Sequence, residues 1–302
     1  MDIPRTLRRR RAPDLANAAI FLGPALVVIL AVTVYPLARS ITTGFTDRVF
    51  GYQDYSFVGL ANFTRMAHDP LFWQAVCNSA RLAFFNVGGS LLLGLLLALL
   101  LHAGRRYRAV FRCLLFLPWV LPSMVISLMF RWLYNDMYGW ANYILLKHGL
   151  ISSPTHLLAA GDTAWTGILV PIVWCYYPFV MLVLLAALQS INPAYYEAAA
   201  IDGASRWHSF RYITMPLLRP VIAVVIILET IWSLTSFDLV YLLTGGGPAN
   251  ATLTLSLYIY KQGFVSKWLG YSSALATVMF LALLALTLAY FWVINRSQIY
   301  ED

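Results

Sequence analysis

Apolar positions along the chain gather into six stretches long enough to cross about 30 Å of hydrocarbon at 1.5 Å per helical residue. They run approximately over 16–41, 79–102, 111–134, 163–189, 220–244 and 271–294. The first follows Arg8 to Arg11, as a signal peptide would. Its apolar run is too long for such a leader and no small-x-small cleavage site closes it, so a retained helix is expected. Between the spans lie two kinds of polar segment. Three are long and aromatic, from Phe45 to Trp73, Asn135 to Asp162 and Gly245 to Gly270. Their rings suit either an interfacial belt or a docking surface for an external partner. The fourth, about 192–216, is compact and alanine-rich.

Composition supports the spans. Of 302 residues, 60% are hydrophobic and 11% charged, with mean hydropathy +0.70, where a soluble domain carries about a quarter charged residues. A soluble α/β enzyme is excluded, and an all-α integral membrane protein of six transmembrane helices is expected. No apolar-poor segment exceeds roughly 35 residues, which leaves no room for a separate soluble domain of ordinary size. The chain therefore divides into a basic N-terminal segment, 1–15, and a transmembrane domain, 16–302.

The net charge of +8 matters through its placement. Short segments on one side hold Arg5, Arg8, Arg9, Arg10 and Arg11, then Arg105, Arg106, Arg108 and Arg112, then Arg206, Arg211 and Arg219, and finally Arg296. These thirteen of twenty-one basic residues place both termini and the 192–216 segment in the cytoplasm. The charge thus faces a lipid bilayer, and no nucleic-acid partner is implied.

The cytoplasmic segment reads as two short helices. Asn192 can cap a helix that starts at Pro193, where a missing N–H costs nothing. Ala198 to Ala200 favour helix, and Gly203 lets the chain turn out of it. A second helix is expected from about Ser205 to Tyr212, stopping ahead of Pro216. The alanines present a low-profile face to a partner's groove, with Phe210 and Ile213 as apolar anchors. The other reading is an amphipathic connector lying on headgroups.

Glu197-Ala198-Ala199, Gly203 and Ile213-Thr214-Met215-Pro216 resemble the E-A-A-x3-G-x9-I-x-L-P motif of ATP-binding-cassette (ABC) importer permeases, with Met215 in place of Leu. That exchange conserves volume. Two further stretches, Phe116 to Ser123 and Phe237 to Pro248, resemble the carbohydrate-uptake branch of maltose-type and glycerol-3-phosphate-type permeases. The resemblance spans nearly the whole chain. It implies a type I importer permease fold in a bacterial or archaeal cytoplasmic membrane. Glu197, Ala198, Ala199, Asp202 and Gly203 would then form the coupling element to an ATP-hydrolysing subunit dimer. A second homologous permease and an extracytoplasmic solute-binding protein would complete the complex.

The residues carry no chemistry of their own. No G-x-x-x-x-G-K-[ST] occurs, so ATP and Mg are expected on the partner ATPase, with no cofactor in this chain. Gly245-Gly246-Gly247-Pro248 lacks the Lys and reads as a turn. Cys77, Cys113 and Cys175, and the five scattered histidines, have no metal-ligand spacing. A transport subunit, not an enzyme, is expected.

One ionisable group stands deep in a span, a functional pointer because a lipid-facing charge costs several kcal/mol. Glu229 lies nine residues beyond Pro220, roughly 14 Å along the helix. Trp232, Ser233, Ser236 and Phe237 follow at i+3, i+4, i+7 and i+8, on one face. Acid, indole and hydroxyls together suit a polyol, as the ring meets sugar C–H groups while oxygens exchange hydrogen bonds. Glu229 could instead pair internally and hold the bundle together. On the preceding span, the resemblance favours Tyr176 and Phe179, beside Pro178, as the opposing wall. An ionised Glu229 in the path favours a neutral sugar over a glycerol-3-phosphate-like anion. A self-sufficient secondary transporter would need several intramembrane relays and an inverted repeat, which are not evident. A membrane scaffold would not need the polar face.

Overall fold

The computed structural model describes residues 11–103 and 107–298. Arg5, Arg8, Arg9, Arg10, Arg105 and Arg106, with most of segment 1–15, lie outside the described residues. Contacts divide the chain into two compact units, one reaching to His68 and including Gln262–Val278, the other comprising Asp69–Lys261 and the chain from Met279.

In the first unit, helices α1 (Arg11–Ile29) and α2 (Tyr35–Thr43) join through a π-helical turn at Leu30–Val34. Together they supply the apolar span Ile20–Thr43, none of which is buried inside the chain. The π turn has a local cause. Pro36, the second residue of α2, has no N–H and its ring would crowd the carbonyl four residues back. One extra residue relieves this, and Tyr35 N–H bonds to Leu30 O. Short helix α3 (Ala61–Ala67) follows. Asn62 ties its start to the chain after α2 through bonds to the carbonyls of Gly44 and Thr46, at 2.9 and 2.8 Å. Arg65 lies over Trp268 at 3.8 Å and Tyr271 at 4.4 Å.

The second unit is built on α4 (Pro70–Ala103) and α8 (Gly161–Ser190). Membrane helices gain nothing from hydrophobic exclusion between themselves, so close van der Waals approach must hold them. Small residues provide it: a Cβ on Gly94 would stand 2.7 Å from Val180 and 2.9 Å from the Met181 nitrogen. Below this contact, Ala98, Val180, Met181, Leu184, Leu188, Leu218 and Val225 form a buried cluster. Pro171 and Pro178 lie inside α8, yet the helix runs on through both. Pro178 costs the ladder its own donor without ending the helix. Helix α14 (Leu269–Gln298) covers the whole expected 271–294 stretch.

Two of the six expected stretches differ in form. The third is helix α5 (Arg108–Val120) followed by α6 (Ser123–Leu133), bent by 95°. Pro122 forces Leu121 into an extended conformation, ψ 135°, and the helix cannot pass. The fifth begins earlier and ends earlier than expected. It is one apolar helical path, Arg206–Thr235, composed of α10 (Arg206–Ser209), a π turn at Phe210–Thr214 and α11 (Met215–Thr235). The expected stop ahead of Pro216 does not occur. The widened turn accommodates this proline as it does Pro36, with Met215 N–H bonded to Phe210 O. At the far end, Ser236 is extended and its carbonyl accepts from the Ser256 hydroxyl at 2.7 Å instead of continuing the ladder. A separate helix, α12 (Asp238–Leu243), replaces the expected continuation to Thr244. Among the described residues, five helices are thus long enough to span, six if the bent pair counts as one.

Of the remaining helices, α7 (Trp140–Lys147) and α13 (Leu255–Tyr260) lie in the aromatic segments, and α9 (Ala194–Ile201) in the alanine-rich one.

Candidate functional site

The alanine-rich segment folds as its caps dictate. Asn192 Oδ1 accepts the Ala194 N–H at 3.0 Å, opening α9. Gly203 takes φ +77°, and Ala204 N–H returns to Ala199 O at 2.9 Å, the bond pattern of a glycine-terminated helix. Ser205 then caps α10 by accepting from His208 N–H. Glu197, Ala198, Asp202 and Gly203 are exposed and Ala199 half-buried. Tyr196, which sequence reasoning missed, bonds through its hydroxyl to buried Thr214 at 2.9 Å and pins α9 to the root of α11. The expected anchors Phe210 and Ile213 are half-buried. The apolar groups facing outward are Tyr195, Ile201, Trp207 and Tyr212, with Ile201 87% exposed.

Along α11 the expected single polar face separates into two. Glu229 and Ser233, 0% and 1% exposed, turn toward α4. There Asn86 donates to Glu229 Oε2 at 3.2 Å and to Ser233 Oγ at 2.8 Å. Ser90 donates to Asn86 Oδ1 at 3.1 Å, and Ser233 donates to the Glu229 carbonyl at 2.6 Å. All four side chains are sealed, and Glu229 Oε1 makes no hydrogen bond. Placing Glu229 inside the bundle avoids exposing a carboxyl group to lipid.

Trp232 and Ser236 turn the other way, into a cavity of about 390 Å³. Trp119, Leu121 and Ser123 line it from the α5–α6 bend, Cys175 and Tyr176 from α8, and Trp232 and Thr235 from α11. Ser236, Phe237, Asp238 and Leu239 complete it where α11 gives way to α12. Each interruption of a span therefore opens onto this space, where irregular backbone is tolerated because it is not lipid-facing. The Trp232 ring lies 6.2 Å from Tyr176, stacked, and 4.9 Å from Phe179, edge-on. Phe179 also stacks on Trp119 at 5.9 Å, so it backs the aromatic wall and is not among the lining residues.

Of the six residues expected in the path, Tyr176, Trp232 and Ser236 meet at the cavity, Phe179 stands behind them, and Glu229 and Ser233 belong to the α4–α11 seam. Asn86 was missed because only an ionisable group was sought within the spans; a wider search for polar residues inside apolar stretches would have found it. Trp119 stands in the Phe116 to Ser123 stretch that carries the resemblance, and the bend at Leu121-Pro122 brings it to the cavity.

A bundle of apolar spans with a polar, aromatic-walled cavity at its broken helices, and a rigid helix pair at one end, defines a membrane transport component. Comparison with known proteins agrees. Residues 90–298 match the family described as binding-protein-dependent transport system inner membrane component, and the chain belongs to that family. The sulfoquinovosyl glycerol transport system permease protein SmoG of Agrobacterium fabrum is 36% identical, covering 98% of this chain and 96% of its own. The trehalose/maltose transport system permease protein MalF of Thermococcus litoralis is also 36% identical, over 90% of this chain and 91% of its own. In fold, the chain is similar to a bacterial ABC transporter that imports the acidic polysaccharide alginate, with TM-score 0.82, 23% identity, and coverage of 95% of this chain and 99% of that one. A bacterial alginate ABC transporter in complex with an alginate pentasaccharide-bound periplasmic protein gives TM-score 0.80 at 22% identity, over 93% of this chain and 96% of that one. The protein is a multi-pass permease component of an ABC importer.

Proposed function

We propose that the chain forms, with a second homologous permease, the path by which a sugar or oligosaccharide delivered by an extracytoplasmic binding protein crosses the cytoplasmic membrane. The observation that carries this reading is the composition of the cavity at the broken spans. Trp119, Tyr176 and Trp232 offer flat faces to sugar C–H groups, and Ser123, Ser236 and Asp238 offer hydrogen-bonding oxygens. The relatives that carry trehalose/maltose and sulfoquinovosyl glycerol support a glycosidic solute. With Glu229 turned into the seam, Asp238 is the acidic residue on the cavity lining. Its side-chain oxygens can accept hydrogen bonds from solute hydroxyl groups. The sulfoquinovosyl glycerol relative keeps a glycerol-type solute as the second reading.

Energy enters from outside this chain. It has no ATP-binding motif, and the proposed partner is an ATPase dimer that would hold ATP and Mg. Exposed Glu197, Ala198, Asp202 and Gly203 with half-buried Ala199 form the proposed docking element, with both termini cytoplasmic by the charge bias. Its coupling is mechanical. Tyr196–Thr214 fastens α9 to the helical path that continues without interruption to Thr235, and so to Trp232. A push on α9 is thereby delivered to the cavity wall.

The test is uptake by proteoliposomes holding the complete complex, with ATP inside and binding protein with radiolabelled sugars outside. Trp232→Ala should lower uptake at least tenfold, roughly the loss of one aromatic contact set, while the complex still assembles. Gly203→Asp, which puts a side chain at φ +77°, should uncouple ATP hydrolysis from uptake. Normal uptake in both variants would remove the cavity and the α9 element from the mechanism.

A further inference from the structure

A second groove, of about 310 Å³, lies at the root of the α10–α11 path, in the later part of the 192–216 segment, and shares no lining residue with the cavity or with α9. Trp207, Phe210, Arg211, Tyr212, Met215, Pro216 and Arg219 line it. The π turn at Phe210–Thr214 shapes it, because the extra residue opens the helix surface where Arg211 and Tyr212 stand. Arg211 and Arg219 are exposed, and among the described residues neither has a carboxylate partner. Two arginines thus line one space. The walls are aromatic, with Trp207 packed on Phe210 at 5.5 Å and Tyr212 two-thirds exposed. Beyond Arg219 the helix becomes apolar, with Val224 and Ile226 exposed, so the groove stands where a span meets the headgroup layer.

We infer that this groove binds the phosphate of an anionic phospholipid headgroup. Each element has a role in that fit. The guanidinium groups match phosphate oxygens in charge and geometry. Trp207 and Tyr212 suit the interfacial depth at which a headgroup sits. The apolar surface that follows accepts the acyl chains. The site bears on transport by position alone, since it lies on the helical path that carries Thr214 at one end and Trp232 at the other. A bound headgroup would brace the π turn through which any push on α9 must travel. The inference does not depend on which solute crosses.

The test uses the complete complex, purified and delipidated in detergent, with native mass spectrometry and thermal unfolding as readouts. Dioleoyl phosphatidylglycerol, dioleoyl phosphatidylcholine and inorganic phosphate are titrated separately. The wild type should retain phosphatidylglycerol over phosphatidylcholine by roughly thirtyfold, the order expected for two arginines at a headgroup. Inorganic phosphate should compete weakly, because it lacks the acyl chains. Arg211→Gln with Arg219→Gln should reduce the preference to about twofold. Arg211→Lys with Arg219→Lys, which keeps the charge, should retain most of it. A control, Lys147→Gln on the exposed face of α7, should leave it unchanged. The site is overturned if both lipids bind alike, or if the Gln pair keeps the full preference while the control loses it. It is also overturned if Trp207→Cys is shielded from a hydrophilic thiol reagent in the delipidated complex, since a partner protein would then fill the groove.

Discussion

Two polar surfaces lie one residue apart at the end of α11 and do opposite things. Ser233 and Glu229 close on Asn86 and Ser90 in a sealed seam, whereas Trp232 and Ser236 open onto a cavity. Successive residues on a helix are turned by about 100° from one another, so one helix can present a structural face and a transport face without extra length. The difference teaches that buried polarity within a span does not by itself mark a solute path. In the seam, polar groups are bonded to each other and the helices are locked in rotation about their axes. In the cavity, polar atoms and rings are left available, and they sit where the helices break.

This contrast can be broken by substitution, most strongly in the seam. Asn86→Leu removes the amide that serves both Glu229 and Ser233, leaving a buried carboxyl group without a donor. It should cost about 2–4 kcal/mol, read as a lowered unfolding temperature of the purified chain. Gly94→Val attacks the neighbouring α4–α8 contact. Its Cβ would meet Val180 at 2.7 Å, and a loss of about 1–3 kcal/mol is expected by the same readout. Trp119→Ala should change stability less but lower proteoliposome uptake roughly tenfold, through lost aromatic contact in the cavity. Ser236→Ala should lower uptake only about fivefold, the worth of one hydrogen bond near 1 kcal/mol, and leave unfolding unchanged. Glu229→Gln sharpens the comparison further. The amide oxygen can still accept from Asn86, so uptake should stay within about twofold of wild type, whereas a carboxylate in the path would lose it.

Much of this was legible in the sequence because bilayer physics leaves few choices. Long apolar stretches must be helices, and the Asn192 and Gly203 signals gave both ends of α9. The interruptions were harder. Proline is an ambiguous sign: Pro122 breaks a span, Pro178 does not, and Pro216 is absorbed by a π turn. The outcome depends on what packs alongside, which is tertiary information. The helix face of Glu229 was likewise undecided without its partner. Only the three-dimensional placement of Asn86, 143 residues away, shows which way α11 is turned.

The most direct test of that rotation is cysteine labelling. In a chain with Cys77, Cys113 and Cys175 replaced by Ser, single Ser233→Cys and Ser236→Cys variants are exposed to a hydrophilic thiol reagent in assembled complexes. The account predicts rapid modification at position 236 and almost none at 233. Equal modification at both positions would mean that α11 presents one continuous polar face to the path, and the division between seam and cavity would be wrong.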